Sequence, residues 1–260
     1  MAKQLIGSSD IISAAWKNLA KNWRVYAELV LWSIFVSLIF WTIGVLIRGY
    51  TDDRTAYKVL YSLATMPVSI LVAIISIAFI DLTAKTLQDK KADVRESMRV
   101  GLHKLFSFLW VLILLALVNF LGLLLLIIPA LIFSVWFAFA SDALIVDGIK
   151  GRAALAASRE LVVGRWWSVL WRILLPSAFI YLLVRFALAL GYLILGSVLG
   201  DPGMFFGPMP DLYATSNLYT LAITVIPQAF FGCGIALVTA ANLVLWFDLK
   251  KNPVSGPARP

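Results

Sequence analysis

The chain has 260 residues, of which 62% are hydrophobic and 14% charged, and its formal net charge is +8. A mean hydropathy of +0.92 excludes an ordinary soluble domain, and the lone Cys233 excludes an internal disulfide or a cysteine metal cluster. The basic excess would suit nucleic acid in a soluble protein. Here topology and an anionic lipid surface account for it, and no nucleic-acid partner is expected.

From the N-terminus, residues 11–23 predict an amphipathic helix. Ile12, Ala15, Trp16, Leu19 and Trp23 recur at three- or four-residue steps, Lys17 and Lys21 flank them, and Asp10 suits an N-cap. Six apolar stretches follow, at 29–47, 60–82, 105–127, 130–146, 169–199 and 218–247. A helix needs about 20 apolar residues to cross the hydrocarbon core, because lipid offers its backbone no hydrogen-bond partner. The third and fourth stretches are almost continuous, and one helix through both would be about 60 Å long, twice that core. The break is placed at Ile127-Ile128-Pro129-Ala130, since proline lacks the amide donor and disfavours helix in the residue before it. Residues 200–217, with Pro202, Pro208 and Pro210, predict an irregular connection. Residues 1–250 therefore read as a single membrane domain and 251–260 as a flexible cytoplasmic tail.

The basic residues between the stretches lie on one side. Lys3, Lys17, Lys21 and Arg24 precede the first stretch. Lys85, Lys90, Lys91, Arg95, Arg99 and Lys104 follow the second, Lys150, Arg152, Arg159, Arg165 and Arg172 follow the fourth, and Lys250, Lys251 and Arg259 close the chain. Arg48, Arg54 and Lys58 lie on the other side. The positive-inside rule predicts six crossings with both termini cytoplasmic. Trp16, Trp23, Trp166, Trp167, Trp171 and Trp246 fall near the inner interface, and Tyr50, Tyr57, Tyr61, Tyr213 and Tyr219 near the outer one. The first stretch follows a polar segment and lacks a small-residue cleavage site, so no cleavable signal peptide is expected.

An amphipathic basic segment precedes each odd-numbered span. The second copy, 94–108, aligns Val94, Met98, Gly101, Leu102 and Leu105; the third, 152–167, aligns Ala154, Leu155, Ser158, Leu161 and Val162. The expected fold is all-α: six transmembrane helices and three cytoplasmic amphipathic helices lying in the headgroup layer.

The run from Asp147-Gly148 through Gly151, Ala154-Leu155, Ser158, Leu161 and Gly164 to Trp166-Trp167 resembles a motif of a bacterial inner-membrane family. That family, largely of unknown function, includes the membrane domain fused to some glycerophosphodiester phosphodiesterases. The Ile127-Ile128-Pro129 turn and Trp246-Phe247-Asp248-Leu249-Lys250 are similar to family features. Ala130 departs from the glycine that often follows the proline. There is no room for a phosphodiesterase barrel, so that activity does not carry over. The resemblance implies a six-helix fold in the bacterial inner membrane. Read physically, Gly148 and Gly151 allow a sharp turn, Ala154, Leu155, Ser158 and Leu161 form a small-residue packing face, and Gly164 ends a helix.

Arg185 is the leading candidate for function. A cation at mid-span costs roughly 2.5–3.5 kcal/mol on insertion scales, so a polar group should face it. Asn119 and Gln228 match its depth, and Asp142 would require a shift in register. Asp81, Asp142 and Asp147, at the inner ends of spans, are expected to pair with Lys85, Lys104, Lys150 or Arg172. His103 is the only histidine, which makes a zinc site improbable. No H-E-x-x-H, G-x-S-x-G or phosphate-binding loop occurs, so no catalytic residue, metal or cofactor is expected. Gly196 to Gly200 forms a G-x-x-x-G, a mark of close packing within the chain or with another membrane protein or copy. The reading is a non-enzymatic, lipid-interacting or membrane-organising protein, with Trp16, Lys17, Lys21, Trp23, Arg165 and Trp166 at the anionic lipid surface. The alternative is a transporter or channel for a small anionic or amphiphilic solute, with Arg185 in its path.

Overall fold

Residues 5–200 and 218–253 are described by the structure, a computed structural model. Every regular element among them is a helix: α1 Ser8–Lys21, α2 Trp23–Tyr50, α3 Arg54–Leu87, α4 Val94–Leu125, α5 Ile127–Trp136, α6 Ala140–Asp147, α7 Arg152–Val162, α8 Trp166–Val198 and α9 Leu218–Lys251. Six helical segments are long and apolar enough to cross a membrane, with α5 and α6 together forming one of them. The chain is a multi-pass membrane protein. The spanning helices outrun the apolar stretches at both ends, since helical hydrogen bonding continues through interfacial polar residues that hydropathy does not count.

Two expectations about these elements are corrected. The second amphipathic segment is not a separate in-plane helix: α4 runs unbroken from Val94 to Leu125, about 48 Å of rise. Asp93 starts it, its Oδ1 accepting the Arg95 N–H at 2.7 Å. Gly101, mid-segment, serves contact with α3 and interrupts nothing. A Cβ there would lie 2.7 Å from the Ile74 carbonyl oxygen, so α3 and α4 approach at a distance that only glycine permits. Secondly, the fourth span is broken at Phe137–Phe139 into α5 and α6. A break between the third and fourth spans is present but falls at Leu126, with φ +143°, just before the expected Ile127–Ala130 tetrapeptide, which forms the first turn of α5; α5 folds back so that Ala130 lies against Gly122.

Helices α3 and α9 lie at the centre. α3 packs on α2, α4, α6 and α9, while α9 also packs on α1, α2 and α8. Ile77 and Leu82 of α3, and Leu243, Leu245, Trp246 and Leu249 of α9, are buried. α8 is peripheral, with its main contact along α9. Leu174, Leu175, Phe179, Leu182, Phe186 and Ile194 cover its outer side, as expected of a helix facing lipid rather than water.

Candidate basic-end site

The residues resembling the family motif build a connected structure at the basic end. α6 stops at Gly148, whose φ of +74° is a left-handed cap that a residue with a Cβ adopts only at a cost. Gly151, at φ +58°, completes the turn into α7. This helix buries Ala154, Leu155, Ser158 and Val162, and exposes Arg152, Arg159 and Glu160. The predicted face is correct, but it packs on protein.

Ser158 carries a role that spacing alone did not reveal. Its Oγ accepts the Phe139 N–H at 3.0 Å and donates to the Trp136 carbonyl at 2.8 Å. One hydroxyl thus satisfies a donor and an acceptor at the α5–α6 break, where buried backbone groups would otherwise be orphaned. Arg159 lies over the Trp136 ring, its Cζ 4.7 Å from the centroid. No proline or glycine marks the break in the Trp136-Phe137-Ala138-Phe139 run, so spacing gave no signal for it.

Beyond Gly164, Arg165 turns inward. Its Nε donates to the Leu161 carbonyl at 2.8 Å, Nη2 to Leu249 at 3.0 Å and Nη1 to Asn252. One guanidinium therefore caps carbonyls at the ends of α7 and α9. Burial pushes its pKa below the ordinary value, opposed by the Asp248 carboxylate. Lys250 bonds Asp147 at 2.9 Å and stands 4.5 Å from the Trp246 ring centroid. Asp248 accepts the Ile6 N–H at 3.1 Å, and Arg172 donates to the Ile6 carbonyl at 2.7 Å. The N-terminal segment, the motif and the end of α9 form one network.

The six residues expected at the lipid surface divide. Trp16, Lys17, Lys21 and Trp23 are exposed, Lys21 pairing with Asp89 at 2.6 Å. Arg165 is committed to backbone carbonyls. Trp166 is half-buried, donates to Ile132 at 3.4 Å and meets the exposed Trp167 edge-on at 4.8 Å. The single apolar face expected on the first amphipathic helix is also corrected. Ile11, Ala15 and Asn18 of α1 are buried, while Trp16 and Trp23 point away, because α1 packs on α8 and α9. Asn18 locks this orientation, its Nδ2 donating to Tyr26 at 2.8 Å and to Thr86 at 3.0 Å.

The intramembrane polar residues are not brought together. Arg185 is exposed on α8 and has no hydrogen-bond or ion-pair partner among the described residues. Asn119 bonds its own helix, at the Leu115 carbonyl. Gln228 is half-buried on α9, and Asp142 is buried in α6, which packs on α3, α4 and α7. The carboxylates at span ends partly follow expectation. Asp81 pairs with Lys85 at 2.9 Å and accepts Ser97 Oγ at 2.8 Å. Asp147, however, takes Lys250, while Lys104 donates to the Ile145 carbonyl at 2.6 Å. His103 bonds the Arg99 carbonyl. Among the described residues no group of three His, Cys, Asp or Glu side chains could hold a metal.

Two hollows remain. One is a cleft of about 540 Å³ at the basic end, between Ile6, Leu87, Val244 and Phe247, with Asp248 and Lys251 at its rim. The other is an apolar groove of about 230 Å³ between α8 and α9. Compared with known proteins, the chain matches no family model, no curated protein and no solved structure.

Proposed function

We propose that this is a non-enzymatic protein of the bacterial inner membrane, with both termini cytoplasmic, that engages anionic lipid through the outward side of α1 and the α1–α2 turn. The observation carrying this reading is that Trp16 and Lys17 of α1, and Trp23 and Arg24 at the start of α2, are exposed on either side of the α1–α2 junction, while the other side of α1 is fixed by Ile11, Ala15 and the Asn18 bonds. Indoles favour the headgroup level, and cations beside them attract phosphates of the inner leaflet. Because α1 is already docked, binding requires little ordering of the protein. Trp167 and Trp171, exposed at the start of α8, extend the aromatic girdle. α1 and α7 supply two of the three amphipathic helices of the expected plan, α1 in contact with lipid and α7 as a clasp on the bundle.

The relation to the phosphodiesterase-associated membrane family belongs to this proposal, supported by the structural use of Gly148, Ser158 and Gly164 in its motif. The transport reading is weaker, because Arg185 is exposed on α8 and is not among the residues that line the groove between α8 and α9. Lys17→Glu combined with Arg24→Glu should lower the phosphatidylglycerol retained by the purified protein at least threefold, measured by native mass spectrometry. Unchanged retention with the helical content intact would reject lipid engagement at this surface.

A further inference from the structure

Arg185 poses a problem that the described protein does not solve. It lies on the outer side of α8, exposed and unpaired among the described residues. From Trp171 at the basic end, α8 rises roughly 21 Å to reach it. In a hydrocarbon core of ~30 Å, this places Arg185 in the half nearer the opposite leaflet. An arginine there demands an anion or a route to the interface, and its long stem allows the guanidinium to reach toward that surface.

The groove between α8 and α9 is lined on α8 by Ile180, Tyr181 and Val184, so it reaches the residue just before Arg185. Tyr181 and Arg185, four residues apart, share a face of α8, and Tyr181 lines the groove with Val184, Gly234, Ile235 and Val238. The floor is narrow because α9 offers a glycine: a Cβ at Gly234 would lie 3.0 Å from Val184 Cγ2. A cation therefore stands on the interface side of an apolar slot that runs toward mid-membrane. This is the order of charge and hydrocarbon in a lipid entering from that leaflet, head first toward Arg185 and chain below it.

We propose that this groove is a lipid site of the leaflet opposite the basic end, with Arg185 binding the phosphate of an anionic phospholipid and one acyl chain lying between α8 and α9. The occupant is chosen by charge: a cation with no carboxylate partner among the described residues selects a net-negative headgroup over a zwitterionic one. The site requires that the chain span a bilayer and does not depend on lipid binding at α1.

The test uses the full chain carrying Lys17→Glu and Arg24→Glu, so that the α1 surface does not contribute. The protein is placed in nanodiscs of palmitoyl-oleoyl phosphatidylcholine with a minority of the phosphatidylglycerol analogue, and retained lipid is counted by native mass spectrometry. The parent should hold phosphatidylglycerol in preference to phosphatidylcholine. Arg185→Gln should lower its occupancy about fivefold, and Arg185→Lys should keep it within twofold of the parent. Ile235→Trp fills the groove from an exposed position, leaves the charge in place and should lower occupancy by a similar factor. Occupancy unchanged in Arg185→Gln overturns the proposal. Loss in Arg185→Gln with no change in Ile235→Trp overturns the slot, leaving only a charge–headgroup contact.

Discussion

The guanidinium of Arg165 donates to the carbonyl of Leu249 at 3.0 Å, so the residue preceding α8 closes the last turn of α9. The two lie far apart in sequence, and their contact joins the motif to the central helix of the fold. Arg165→Ala should destabilise the protein by about 1.5–3 kcal/mol, the range for hydrogen bonds to a charged group whose partners are then left unmet. Arg165→Lys should recover only part of this, since an ammonium cannot reproduce the planar fork. Thermal unfolding in detergent, followed by circular dichroism, measures both.

Ser158→Ala should cost about 1–3 kcal/mol, because the Phe139 N–H and Trp136 carbonyl lose their shared partner in a buried place. The loss should be local: amide exchange at residues 137–141 should rise more than exchange in α3 or α9. Uniform acceleration across the bundle would contradict this.

Gly101→Ala brings a methyl group to 2.7 Å from a backbone oxygen, a neighbour that has no rotamer with which to yield. Overpacking of this kind costs roughly 1–3 kcal/mol. A lowered melting temperature is expected, with disulfide crosslinking between cysteines placed at the basic ends of α3 and α4 also reduced. Gly49→Ala, where nothing lies within 4 Å, is the matched control.

The Lys21 ammonium, hydrogen-bonded to Asp89, holds that carboxyl below its ordinary value. A depressed folded-state pKa means that the pair's stabilisation is present above the unfolded aspartate value of about 3.9 and is lost as pH falls through the lower folded value. Lys21→Met should raise the Asp89 midpoint toward about 3.9, read by carbon NMR of the carboxylate. Because both partners are solvent-exposed, 0.5 M salt should shrink the difference between the two proteins.

Much of the architecture follows from local chemistry. Apolar length and the lateral distribution of Lys and Arg are properties of segments, so the number of spanning helices could be read directly. The turn before Pro129 and the left-handed glycines at 148, 151 and 164 were legible for the same reason: each is demanded by the chain within a few residues. The expected girdle was legible in part. Trp16, Lys17 and Trp23 face outward because no other element competes for them, whereas Arg165 has the same composition signal and is drawn inward by the carbonyls of α9.

The remaining features depend on partners distant in the chain. The α5–α6 break exists because Ser158 returns to it; no proline or glycine marks it in sequence. α4 runs through its amphipathic first turns because Gly101 has α3 to approach, a reason invisible from α4 alone. By itself the sequence determined that the protein is a helical membrane domain with one basic end, since burial in lipid is decided by the composition of each segment. Only the tertiary structure decided which charges are spent inside the fold, as with Arg165, and which are left facing the bilayer, as with Arg185. That choice rests on the distance to a complementary group on another helix.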